Sequence, residues 1–156
     1  MKIAVGFDHA GFPLRELVLG TIRRAGHQAL DLGTDTDQPV DFPDYAEKVG
    51  RAIQRGAAER GILVCGSGIG ACIAANKMKG VYASVCHDLY SAAQGVAHDD
   101  MNLLCLGARV ITADLAERLV AAFLAARFAG SEPGGERFAR RVRKIHLIED
   151  GGSIET

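Results

Sequence analysis

No apolar run in this sequence approaches the ~20 residues that a membrane-spanning helix needs. Met1-Lys2 leads into a strand-like run rather than a secretion signal, so neither membrane insertion nor export is expected. Charge of one sign is not in excess: 18 Lys and Arg stand against 19 Asp and Glu, a formal net charge of −1. No global field therefore draws the protein to nucleic acid or to an anionic membrane. Cys65, Cys72, Cys86 and Cys105 form no CxxC and have no histidine at metal-ligand spacing. Reduced thiols in a cytoplasm suit that pattern better than a disulfide frame or a zinc site. Internal repeats, low-complexity tracts and linkers are absent as well. The 156 residues are expected to form one domain over 1–149, followed by a flexible tail over 150–156.

What is present centres on residues 61–77, GILVCGSGIGACIAANK. Ile62, Leu63, Val64 and Cys65 make a strand-like run. Gly66, Gly68 and Gly70 form a turn around Ser67 and Ile69, and residues 71–75 open a small-residue helix. Such a turn exposes backbone N–H groups at a helix start, where the macrodipole adds positive potential. That end favours the thiolate of a cysteine at the strand tip. Two readings follow: an ionisable thiol beside a cradle for an oxyanion, or a structural cysteine at a tight turn.

The rest of the chain alternates in the same way. Strands are expected at 2–7, 28–32, 62–65, 81–86 and 103–106. Helices are expected near 14–24, 45–54, 71–75, 88–96 and 114–128, with Thr112 as a helix N-cap, and a basic helix at 137–149. Five strand–helix alternations predict an α/β protein with a parallel sheet covered on both faces. In such sheets ligands sit beyond the carboxyl ends of the strands. Asp8 and His9, Cys65 and Ser67, His87 and Asp88, and Arg109 are the polar residues that follow strands, and His98-Asp99-Asp100 precedes the fifth.

Asp8 and His9 read either as ligand-binding groups or as a helix cap beside a solvated histidine. Asp88 reads as an N-cap. His98, among carboxylates in a loop, is expected to be held protonated. Arg137 and Arg141 share one helix face and suit a phosphate held from two sides, or equally a solvated or subunit-bridging helix. Phe138 is the only aromatic within the basic run 137–144, a weak nucleic-acid signal. Residues 66–71 satisfy G-x-G-x-x-A, yet they follow the third strand and leave no room for a second domain, which argues against a dinucleotide site. No GK[ST] follows the glycines, so a P-loop is excluded.

Taken together, GFDHAG (6–11), CGSGIG (65–70), IAANK (73–77), HDDMN (98–102), GAR (107–109) and the Arg137/Arg141 pair resemble the type B ribose-5-phosphate isomerases. That family also contains the galactose-6-phosphate isomerase subunits. The resemblance implies a Rossmann-like three-layer α/β/α sandwich around a five-stranded parallel sheet. It implies an aldose–ketose isomerase of a small sugar phosphate, with no metal or cofactor and no nucleic-acid or membrane partner. It also implies a homodimer or dimer of dimers whose sites draw on both subunits. By the same resemblance Cys65 is the catalytic base, since the glutamate used by another branch is Ala71 here. Ser67 helps move a proton between substrate oxygens, and the N–H groups of residues 67–71, with Gly66, Gly68 and Gly70, cradle the enediolate. His98 and Asp8 open the sugar ring. His9, Tyr45, Asp99, Arg109, Arg137 and Arg141 bind and orient the substrate. Two departures stand out: Asp99 replaces the usual Asn, and Phe138 replaces the usual His behind a lengthened loop. Both concern the end of the pocket that measures the sugar.

Overall fold

The computed structural model describes residues 1–154; the expected tail, 150–156, reaches beyond the described residues. Five strands, β1 (Lys2–Phe7), β2 (Gln28–Asp31), β3 (Arg60–Cys65), β4 (Ala83–Val85) and β5 (Leu103–Gly107), form one sheet in the order β2-β1-β3-β5-β4. Every pairing is parallel. Among the described residues six α-helices accompany them: α1 (Arg15–Arg24), α2 (Phe42–Gln54), α3 (Ile69–Ala75), α4 (Leu89–Asp99), α5 (Ala113–Ala125) and α6 (Glu136–Glu149). The expected three-layer sandwich is the one observed.

The side-chain period of two in each strand divides the core between the two faces. Ile3, Val5 and Phe7 of β1, with Ile62, Val64, Leu104 and Leu106, pack against α1, α4 and α5. Ala4, Leu63, Cys65, Leu103 and Cys105 face α2 and α3 instead. Chain order reverses at β1, which pairs with β2 on one side and β3 on the other. The crevice at the carboxyl ends of β1 and β3 is therefore the topological switch point.

Two expected boundaries are corrected. The fourth strand is confined to Ala83–Val85 rather than 81–86, because side-chain amides take its entry. Tyr82 N–H donates to Asn102 Oδ1 and Ala83 N–H to Asn76 Oδ1. The helix expected to end near Val96 continues to Asp99 and stops where Asp100 turns left-handed, at φ 55°. Asp tolerates that conformation better than most residues. His98 consequently belongs to the last helical turn of α4, not to a loop.

Candidate active site

The carboxyl ends of β1 and β3 bring one group of the expected residues together. Cys65 Sγ accepts the Gly68 N–H at 3.1 Å. The bond is made by a sharp turn in which Gly68 adopts φ 84°, a conformation that costs a side-chain-bearing residue energy. Ser67 Oγ accepts the Ile69 N–H at 3.3 Å. Cys72 N–H is the first in α3 to reach a helical acceptor, the Gly68 carbonyl. Among the described residues, the Gly70 and Ala71 amides thus have no backbone acceptor.

Asp8 combines a turn contact with a place on a cavity wall. Its Oδ1 accepts the N–H groups of Ala10 and Gly11 at 2.9 and 2.8 Å, shaping the turn after β1. The carboxyl group also lines a cavity of about 320 Å³ together with Cys65, Gly66, Ser67, Gly70 and Arg109. Arg109 is fixed to this turn by its backbone N–H on the Gly66 carbonyl, 3.0 Å. His9, in the neighbouring loop, accepts the Val40 N–H on Nδ1 at 3.2 Å. The aromatic residue on the cavity is Phe42, whose ring packs where a Gly70 side chain would stand. Tyr45 lies one turn further along α2, with the Lys48 ammonium 4.6 Å from its ring centroid. Phe42 and Val110, both cavity-lining, escaped sequence reasoning; the Phe-Pro start of α2 reads only as a helix boundary.

A second group gathers elsewhere. The His98 ring stacks on Phe138 with centroids 4.1 Å apart and planes 13° from parallel. The Arg137 guanidinium lies over the same Phe138 ring, 4.5 Å from its centroid. Arg141, one turn further along α6, is exposed. Gln94 Nε2 stands 3.0 Å from His98 Nδ1 and donates to Asp99 Oδ2 at 3.3 Å. The expected setting of His98 among carboxylates is thus corrected: its direct neighbours are an amide and a phenyl ring. Gln94 was not singled out either. Its i, i+4 relation to His98 becomes a signal only once α4 is known to run through His98.

These two groups do not meet within one chain. Cys65 pairs with Gly107 at the carboxyl end of β5, whereas α4 delivers His98 to the amino end, ahead of Leu103. The length of β5, roughly 13 Å, separates those ends. Helix α6 stays with the second group, placing His146 on Tyr82 and accepting the Gly80 N–H and Tyr82 hydroxyl on Glu149.

His87 and Asp88 resolve as structural groups. Asp88 Oδ1 caps α4 by accepting the Ser91 N–H at 2.7 Å, and this bond holds its carboxyl below the usual range. His87 Nε2 accepts the Gly107 N–H at 3.0 Å, and burial lowers its pKa.

Comparison with known proteins bears on the family and the fold. The family model described as "Ribose/Galactose Isomerase" matches residues 3–145. Ribose-5-phosphate isomerase B of Escherichia coli is 40% identical over 148 residues, covering 95% of this chain and 96% of the relative. D-erythrulose-4-phosphate isomerase of Pectobacterium atrosepticum is 39% identical over 150 residues, covering 96% and 95%. The solved structure of Clostridium thermocellum ribose-5-phosphate isomerase B superposes with a TM-score of 0.90 at 41% identity, covering 97% of this chain and 99% of that one. With the model spanning nearly the whole chain and relatives this similar from end to end, the chain belongs to the ribose/galactose isomerase family.

Proposed function

We propose that this aldose–ketose isomerase interconverts ribose 5-phosphate and ribulose 5-phosphate with Cys65 as its base. The observation that carries the reading is the position of Cys65 Sγ at the switch-point cavity, 3.1 Å from the Gly68 amide and beside Asp8, Ser67 and Arg109. The E. coli relative bears the name of this activity. Arg137 and Arg141 grip the phosphate, so that remote binding energy aligns the reacting carbons. His98 gives a proton to the ring oxygen as the C1–O bond breaks, and the free oxygen of Asp8 takes the C1 hydroxyl proton. The Cys65 thiolate then removes the C2 proton and returns it to C1, while Ser67 relays a proton between O1 and O2. Backbone amides at the glycine turn meet the enediolate charge, each worth roughly 3–4 kcal/mol in comparable sites. His9, Tyr45, Asp99 and Arg109 orient the sugar.

This chemistry needs a second copy of the chain. Cys65 and His98 belong to opposite ends of the sheet, so a working site takes Cys65 and Asp8 from one subunit and His98, Arg137 and Arg141 from the partner. The surface beside the cavity suits such a contact: Ile69 and Ile73, four apart on α3, are 54% and 57% exposed, and Val110 is 58% exposed.

Cys65→Ala is expected to abolish isomerisation while ribose 5-phosphate still raises the melting temperature. Near wild-type turnover in that variant removes Cys65 from the mechanism. A second reading keeps the chemistry on a tetrose phosphate. The observation that favours it is the Phe138 ring stacked on His98, where the resemblance leads one to expect a histidine. Rates on four-, five- and six-carbon aldose phosphates separate the two.

A further inference from the structure

The departure at Asp99 has a partner in the structure. An ionised carboxylate only accepts hydrogen bonds, so the Gln94 atom that faces Asp99 Oδ2 at 3.3 Å is its amide nitrogen. The same nitrogen stands 3.0 Å from His98 Nδ1, and an amide nitrogen has two hydrogens to offer, one for each of these neighbours. A neutral His98 therefore accepts on Nδ1 and carries its proton on Nε2. Rotating the amide by half a turn offers an oxygen to Nδ1 but sets another oxygen against Asp99, which is repulsive. Phe138, stacked on the imidazole at 4.1 Å, fixes the ring plane.

We propose that Gln94 is a positioning residue which, oriented by Asp99, holds His98 as the tautomer protonated on Nε2. The inference rests on the ring-opening role assigned above to His98, which calls for an N–H directed at the ring oxygen. It explains how a carboxylate occupies a position where an amide is usual: Asp99 Oδ2 is turned to Gln94 rather than to the enediolate. An asparagine at 99 presents either oxygen or nitrogen to Gln94 and leaves the amide, and hence the tautomer, unspecified.

The test reads the tautomer and the ring step separately. Long-range proton–nitrogen correlation spectra of the whole protein, in mildly alkaline buffer where histidine is uncharged, are expected to show His98 with its proton on Nε2. Gln94→Glu places an acceptor-only group at Nδ1 and is expected to move the proton there. Isomerisation of ribose 5-phosphate, which is cyclic, then falls by about tenfold or more. Exchange of the C1 protons of ribulose 5-phosphate with solvent deuterium stays near the wild-type rate, because that ketose is open-chain and enolises without a ring step. Wild-type His98 protonated on Nδ1, an unchanged spectrum in Gln94→Glu, or an equal fall in both rates overturns the proposal. If the wild-type protein neither isomerises nor exchanges, the functional reading fails, and the spectra still decide whether Gln94 sets the tautomer.

Discussion

The cysteines divide by what surrounds each sulfur. A hydrogen bond with Cys105 is the largest influence on half-buried Cys72, and with contacts from β4 and Asn76 it brings the Cys72 pKa down to about 7. Burial pushes Cys86 up, and it pushes Cys105 well above the ordinary thiol range. Because the thiolate is the nucleophile, iodoacetamide just above neutral pH is expected to label Cys72 well before Cys86 or Cys105, as peptide mass mapping reads out. Equal labelling of the three contradicts the ordering. His87 titrates in a telling direction as well. Only an unprotonated Nε2 accepts the Gly107 N–H, and burial lowers the His87 pKa from its ordinary 6.5. The folded chain thus binds this proton less tightly than the unfolded chain. The stability His87 contributes is complete above pH 6.5 and is lost as pH falls toward the folded value. Denaturation midpoints measured down through that range are expected to decline less steeply in His87→Gln than in the wild type. A residual slope persists from His27, which burial shifts the same way.

The turn between β3 and α3 joins stability to chemistry. Gly68 combines φ 84° with a tight approach, since a side chain there would begin 3.2 Å from the Leu106 carbonyl carbon. Gly68→Ala is expected to cost roughly 1–2 kcal/mol for the left-handed conformation alone, read as a lower denaturant midpoint. Relief of that strain would withdraw the amide from Cys65 Sγ, so activity is expected to fall further than stability does. The glycine spacing in 66–70 and the apolar run before it made this turn legible from sequence, because both are local signals. The end of α4 was less legible. An aspartate in the left-handed region stops that helix, and Asp-Asp after a histidine reads as easily as a loop. That one extra turn changes His98 from a loop histidine among carboxylates into a helical one held by Gln94 and Phe138.

The separation of the two residue groups has a consequence for assembly. Cys65→Ala damages only the half of the site at the carboxyl end of the sheet, and Arg137→Ala with Arg141→Ala damages only the half on α6. Each variant alone is expected to be inactive. Unfolded together and refolded as a mixture, they are expected to recover about a quarter of wild-type activity. Half of randomly assembled dimers are mixed, and each mixed dimer keeps one intact site of two. No recovery in a mixture shown by mass to contain mixed dimers rules out the shared site. The apolar pair Ile69 and Ile73 on α3 flanks the Cys65 half, so the proposed subunit contact would cover that face as it completes the site.

Sequence alone determined the strand–helix alternation, the glycine turn behind Cys65, and the caps at Asp88 and Thr112. Each of these rests on residues close together in the chain or on motifs standing in a fixed order. Tertiary structure decided the rest: the strand order that puts β1 beside β3, the end of the sheet to which each helix delivers its side chains, and the amide bridge from Asp99 to His98. Strand order depends on pairings between distant segments, which side-chain periodicity does not encode. Nor does a list of residues in sequence reveal that two of its groups stand at opposite ends of one sheet.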